Sequence, residues 1–172
     1  MDVPPEKRPA PHFQDAADWR AFELNQMNEL DRLEFDRLVE EQTALLKDYD
    51  DRLQARKPAD VEAATERHMA DHQKYDISIK DEYGREIAKQ PRSMEEKYKL
   101  AQEAAVREVE TRISNSLGEL RSRQETERDT VLVDHRELRL EQEEQRQLKL
   151  TEFRENAQDI TGQHGPDIEP EL

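Results

Sequence analysis

Apolar residues in the N-terminal third of the chain recur at intervals of eleven positions. Two such rows run along this stretch, and they consist of Phe13, Leu24, Phe35 and Leu46 and of Ala16, Met27, Leu38 and Tyr49. Eleven residues complete almost three turns of an α-helix, so both rows lie side by side on one helix face. The pattern predicts a long helix over residues 13–56, with a straight or slightly right-handed apolar seam.

A second apolar patch lies on roughly the opposite side of this predicted helix and is formed by Trp19, Phe22, Leu30 and Leu33. A helix in a simple two-stranded coil has no use for a second apolar face. One interpretation places the patch in the core of a three- or four-helix bundle, and the other makes it a docking surface. These four residues are therefore the candidate protein-binding residues of the chain.

The middle of the chain, residues 58–90, is predicted to be a shorter helical segment. The residue before a proline is driven out of the α region, so Pro58 ends the first helix and suits the first turn of the next. Residues 75–88 fit both a helical stripe with a spacing of four and a strand-like alternation. The stripe comprises Tyr75, Ile79, Tyr83 and Ile87. We expect a helix there, with a small β-hairpin as the alternative.

A second long helix is predicted over residues 93–159. Ser93 and Glu96 have the spacing of a capping box, and no proline follows until Pro166. Gly118 is the only glycine in this range and is a candidate for a bend or break. The predicted seam of this helix comprises Val106, Val109, Ile113, Leu117 and Leu120 and continues more sparsely through Val131, Leu138, Leu148 and Phe153.

Together these elements predict an all-α fold. We expect an elongated antiparallel helical bundle or coiled coil, in which two long helices are joined by the short middle segment. The proline-rich residues 1–12 are predicted to form a flexible arm. Residues 160–172, which contain two glycines and two prolines, are predicted to form a flexible acidic tail.

The composition explains why a coiled coil is expected and a globular core is not. Charged residues make up 40% of the 172 residues, and the net charge is −15. Such a chain carries too little apolar surface to offset the ordering entropy of a globule, whereas a coiled coil needs only a narrow seam. Each helix alone buries little, so we expect a homo-oligomer or a protein partner to complete the core.

Charge and hydropathy also argue against certain classes of partner and against a membrane or secreted location. The acidic balance argues against direct nucleic-acid binding, because phosphate contacts need clustered Lys and Arg. No stretch approaches the roughly 20 apolar residues of a membrane span, and the N-terminus lacks the apolar core of a secretory signal. We therefore expect a soluble, cytoplasmic protein without a membrane partner.

Few residues suggest chemistry of their own. His68 and His72 are spaced i, i+4, which can seat two metal ligands on one helical turn, and they are weak candidates for a metal site. Met69 stands where a zinc protease has glutamate, and the alternative is that both imidazoles occupy polar seam positions. No cysteine, phosphate-binding loop or nucleophile elbow occurs. We expect no catalytic residue, no cofactor and no small-molecule substrate.

The predicted function follows from the architecture. We expect a non-enzymatic coiled-coil structural or adaptor protein that scaffolds or spaces partner proteins within a larger assembly. One alternative is an acidic binding module that masks a basic protein or mimics nucleic acid. A second alternative is a helical metal-binding sensor that uses His68 and His72.

Overall fold

The described part of the chain is mostly α-helical, with three helices and a small two-stranded sheet. The computed structural model describes residues 13–163, and the side chains of residues 13–160. In chain order the elements are helix α1 (Ala16–Gln26), helix α2 (Glu29–Ala70), a 3₁₀ turn (His72–Tyr75), strands β1 (Ile77–Lys80) and β2 (Glu86–Gln90), and helix α3 (Met94–Gln163). The broad all-α prediction is confirmed at this level. The arm predicted over 1–12 and most of the predicted tail lie outside the described residues.

The described residues divide into two compact units. One unit comprises the residues up to Phe35 together with those from Glu127 onward, and the other comprises Asp36–Thr126. We call them the terminal unit and the middle unit. Each unit contains parts of the long helices, and each is described separately.

The first helix predicted, over residues 13–56, is interrupted in the structure. Asp15 caps α1 by accepting a 2.8 Å hydrogen bond from the Asp18 N–H. Met27 is extended, and the Asn28 side chain then accepts from the Asp31 N–H at 2.8 Å. Asparagine is a strong N-cap residue, so a new helix begins here. The eleven-residue rows are therefore divided between two helices.

Pro58, in contrast, does not end a helix, because α2 continues through it to Ala70. A proline in a helix interior costs about 3 kcal/mol through its missing N–H and its ring. Packing on both sides offsets this cost, since Leu53 and Val61 contact the core of the middle unit. Lys57, the residue before the proline, is also held by a 2.9 Å ion pair with Glu110 of α3.

The core of the middle unit lies between α2 and α3. Its buried centre is formed by small and medium-sized side chains, namely Ala64, Ala105, Val109 and Ile113. Near one end, the buried side chains of Gln42 and Gln124 each donate to the other's backbone carbonyl, at 3.1 and 2.8 Å. Gln42 of α2 contacts Gln124 of α3, whereas Lys57, later on α2, contacts Glu110, earlier on α3. The two helices are therefore antiparallel within this unit.

Helix α3 begins where the sequence predicts, and Gly118 does not interrupt the helix. Ser93 accepts a 3.2 Å hydrogen bond from the Glu96 N–H, which is the predicted N-terminal cap. The helix is then continuous from Met94 to Gln163, and Gly118 has an ordinary negative φ.

The residues predicted for the two seams differ widely in burial. Phe35, Val109 and Ile113 are buried. Partly buried are Phe13, Leu24, Met27, Leu38, Leu46, Val106, Leu117 and Leu120. Exposed are Tyr49, Val131, Leu138, Leu148 and Phe153. In the terminal unit the seam of α3 passes through Leu132, which is buried, and Val131 faces outward.

The segment between the long helices forms a hairpin, not the helix that we expected over residues 75–88. The two strands are antiparallel, and Ile77 pairs with Gln90 and Ile79 with Ala88. The register shifts after Ile79, which leaves Ile87 as the extra residue of a β-bulge. The helical stripe is not formed because Gly84 adopts a positive φ of 75° and turns the chain back.

Candidate protein-interaction site

The base of the hairpin is held by a buried ion pair. Asp76 precedes β1, and its carboxylate lies 2.6 Å from the ammonium of Lys97 in the first turn of α3. The same carboxylate accepts a 3.3 Å hydrogen bond from the backbone N–H of Arg92, which follows β2. The hydrogen bond from Lys97 holds the pKa of Asp76 below its usual value, with a smaller contribution from the Arg92 N–H. One carboxylate therefore ties both ends of the hairpin to α3.

The tip of the hairpin is organised by a second carboxylate, that of Asp81. One of its oxygens accepts hydrogen bonds from the backbone N–H groups of Tyr83 and Arg85, both at 2.9 Å. The other oxygen pairs with the Arg85 guanidinium at 3.2 Å. Gly84 supplies the left-handed backbone that this turn requires, and Arg85 lies over the Tyr83 ring at 5.3 Å. The tip thus has a defined shape before anything binds to it.

The apolar side chains of the hairpin do not contribute to a core. Every residue of both strands is exposed, and so is Tyr83 at the tip, which is 80% accessible. Ile77 and Ile79 lie on one face, while Ile87 is carried by the bulge. A two-stranded hairpin is only marginally stable in water unless something else holds it. Here the polar base and tip hold it, and the apolar residues remain exposed.

The four residues predicted to form one patch, Trp19, Phe22, Leu30 and Leu33, lie on two helices and differ in burial. The break at Met27 and Asn28 places the two aromatic residues on α1 and the two leucines on α2. Trp19 and Phe22 are partly buried, and the Phe22 ring contacts the Phe13 ring and the Arg139 guanidinium. Leu30 and Leu33 are exposed. The aromatic pair therefore lies in helix packing, and only the leucine pair remains free for docking.

A charged cluster inside the terminal unit was not anticipated from the sequence. Glu23 of α1 is almost completely buried and accepts a 3.1 Å hydrogen bond from Arg139 of α3. His135 lies between two carboxylates, with ring nitrogens 3.9 Å from Glu23 and 3.7 Å from Asp31. A cavity of about 160 Å³ opens beside His135, Arg139 and Asp31. Nothing in the local sequence marks Glu23 as buried, because its partners lie more than a hundred residues away.

A second ion pair fixes the direction of α1 in this unit. The guanidinium of Arg20 binds both carboxylate oxygens of Asp129, at 2.8 and 2.9 Å. This hydrogen-bonded pair lowers the pKa of Asp129. Arg20 of α1 contacts Asp129 of α3, and Glu23, later on α1, contacts Arg139, later on α3. Helix α1 therefore runs in the same direction as the part of α3 that it contacts.

The two histidines considered as metal ligands are engaged in other contacts. His68 lies 3.0 Å from Glu108 through one ring nitrogen and 2.8 Å from the Lys74 ammonium through the other. His72 faces the Lys97 ammonium at 3.1 Å. A cation beside each imidazole disfavours a metal ion, and the described residues include no group of three ligands that could hold one. The geometry gives the metal-sensor alternative no support.

Comparison with known proteins gives no match, since no family model, no curated protein and no solved structure is significantly similar to this chain. Among the described helices, none combines the length and the apolar character needed to span a membrane. The inference of function therefore depends on the geometry of the chain itself.

Proposed function

We propose that this chain is a non-enzymatic adaptor of the helical, coiled-coil type that holds a partner protein with its β-hairpin. The observation that carries the proposal is the exposure of Tyr83 and the hairpin isoleucines on a frame that is fixed by Asp76 and Asp81. The helices serve as the support on which this binding element is displayed.

Rigidity and chemistry both favour the hairpin as a binding element. Binding energy at protein interfaces is concentrated in a few residues, among which tyrosine is enriched. A segment that is already ordered loses little conformational entropy when it binds. The carboxylate of Asp81 orders the tip, so Tyr83 and Ile87 are presented in one arrangement. Exposed apolar groups on an ordered frame are typical of interaction sites.

The backbone of the hairpin offers a second means of recognition. A sheet of two strands has two outer edges, and the edge N–H and C=O groups can pair with an extended segment of another protein. Such strand addition would supply hydrogen bonds, while Ile77 and Ile79 on one face would supply apolar contact. This mode fits a protein partner, in agreement with the function expected from the sequence.

The test is affinity capture with the full-length chain from extracts of its source cells, quantified by mass spectrometry. The test variant combines Tyr83→Ser and Ile87→Ser, and the matched control combines Tyr49→Ser and Leu45→Ser on α2 of the same unit, where both residues are also exposed. We expect the recovered amount of at least one captured protein to fall about tenfold or more with the hairpin variant and to stay unchanged with the control. Equal recovery of every protein with both variants would contradict the proposal.

A further inference from the structure

The face of α3 that packs inside the terminal unit continues beyond the residues that cover it. Leu132 on this face is buried, and His135 and Arg139 are partly buried. At 100° per residue, four later apolar residues fall within the same sector, about 80° wide. They are Leu150, Phe153, Ala157 and Ile160, and we call them the distal stripe.

The three large residues of the distal stripe are all exposed. Leu132 is 1% accessible, whereas Phe153 is 71% accessible, and Leu150 and Ile160 are also exposed. The stripe lies on the same side of α3 as Leu132, and the polar residues Gln142 and Arg146 occupy the sector between them. A helix that binds there would continue the packing found further toward the N-terminus of α3.

Charge is distributed unevenly around this part of α3. Six acidic residues lie within residues 141–160, and five of them project more than about 100° away from the centre of the stripe. These five are Glu141, Glu144, Glu152, Glu155 and Asp159. Arg146 lies within the sector of the stripe, and its flanks carry mainly amides and the basic residues Lys149 and Arg154, with Glu143 as the one acidic neighbour. A chain with a net charge of −15 can therefore approach a copy of itself on this face.

We propose that the distal stripe is covered by the same stripe of a second copy of this chain, in antiparallel orientation. The pairing that fits places Leu150 opposite Phe153 of the second copy, and the bulky Arg146 opposite the small Ala157. In an antiparallel pair, residues on the same flank of the two helices lie next to each other. Arg154 of one copy then lies beside Gln147 of the other, and Lys149 lies beside Asn156. Neither of these flanking pairs brings like charges together.

The parallel arrangement is disfavoured by the same side chains. In a parallel pair, each flanking residue meets the residue five positions later on the other helix. Lys149 would then lie beside Arg154 on both sides of the interface, and like charges in such pairs are destabilising. Repulsion between these basic residues therefore selects the antiparallel dimer.

The association is tested by sedimentation equilibrium of the full-length chain. The test variant is Phe153→Glu, and the matched control is Leu148→Glu, which is similarly exposed but lies on the opposite side of α3. We expect a dimer whose dissociation constant rises by about 100-fold or more in the test variant, because two charges would enter the interface, and stays unchanged in the control. A monomer at all accessible concentrations, or an equal effect of both variants, would overturn the proposal.

Orientation is tested by disulfide formation, which is simple here because the chain contains no cysteine. Arg146→Cys and Ala157→Cys are prepared as separate proteins and oxidised singly and mixed. The antiparallel dimer predicts a covalent dimer in the mixture and little in either protein alone. Covalent dimers from each protein alone would instead identify a parallel pair and refute the orientation. The hairpin variant Tyr83→Ser with Ile87→Ser should still dimerise. A failure of the dimer test would therefore leave the proposed function of the hairpin untouched, and a failure of the hairpin test would leave the dimer untouched.

Discussion

The ammonium of Lys97 lies 2.6 Å from the carboxylate of Asp76, and their side chains are only 5% and 13% accessible. The contact joins the start of α3 to the residue that leads into β1. Because Arg92 donates its backbone N–H to the same carboxylate, the base of the hairpin closes around one charged pair. The attachment of the hairpin base to α3 therefore depends on this ion pair.

Replacement of Lys97 by methionine should disorder the hairpin while the helices persist. The aliphatic stem is retained, but Asp76 would be left without its charged partner in a largely buried position. We expect the backbone amides of residues 77–90 to lose at least about tenfold in hydrogen-exchange protection, with little change in the core of the middle unit. The control is Lys99→Met, at an exposed position on the same helix. Unchanged protection of the hairpin would show that the ion pair does not hold it.

Acid should remove stability through carboxylates that accept hydrogen bonds from cationic side chains. The pKa values of Asp76, Glu108 and Asp129 are lowered in the folded chain by hydrogen bonds from Lys97, Arg67 and Arg20, respectively. A folded pKa below the unfolded one gives stability that is present above the unfolded value and is lost as pH falls through the folded value. The usual values are 3.8 for aspartate and 4.5 for glutamate, so the loss begins below about pH 4.5.

The pH effect is isolated by comparing two variants, because relief of repulsion in an acidic chain acts in the opposite direction. Asp129→Asn removes one of the three carboxylates, and Asp134→Asn removes an exposed one nearby. Urea unfolding midpoints are measured from pH 7 to pH 2. The difference between wild type and Asp129→Asn should be largest at pH 7 and shrink toward pH 2. A difference that grows on acidification, or an equal pH-dependent difference with Asp134→Asn, would contradict the assignment.

Because Glu23 is buried, replacing Arg139 alone should lower the stability of the chain more than replacing both Arg139 and Glu23. Arg139→Met leaves the Glu23 carboxylate buried without its main partner, which should destabilise the chain by about 3 kcal/mol. Adding Glu23→Met removes both charges and should recover most of that loss, since apolar replacement of a buried pair is often neutral or stabilising. Chemical denaturation gives both values. Arg136→Met, at an exposed site on the same helix, is the control. Additive losses in the double variant would rule out this account.

What the sequence could predict is limited to local features. The cap at Ser93 and the burial of Val109 and Ile113 follow from spacing along one helix. Asn28, a residue type that favours helix N-caps, is a local signal for the new helix, but the spacing of the eleven-residue rows does not register it. In the run from Val131 to Val133, adjacent apolar residues do not by themselves reveal that Leu132 is the one turned inward.

The candidate sites depend on contacts that no local pattern encodes. Glu23 and Arg139 are 116 positions apart, so nothing near either residue marks the pair. The hairpin was considered only as an alternative, because a spacing of four from Tyr75 to Ile87 matches a helix as well as a turn-linked pair of strands. Its outcome was decided by the Asp81 side chain and by the link from Asp76 to Lys97, which only the folded chain brings together.

Alanine at Gly84 and alanine at Gly118 should have effects of opposite sign. Gly84 has a φ of 75°, which an L-residue adopts only with strain, although a Cβ there would meet no atom within 4 Å. Gly84→Ala should therefore destabilise the hairpin by about 1–2 kcal/mol. Gly118 lies within α3 with open space around it, so Gly118→Ala should stabilise the chain by about 0.5–1 kcal/mol. Both are measured by denaturant unfolding combined with hydrogen exchange over residues 77–90. A stabilising Gly84→Ala would mean that the turn does not require its left-handed residue, and the ordered display of Tyr83 would then lose its physical basis.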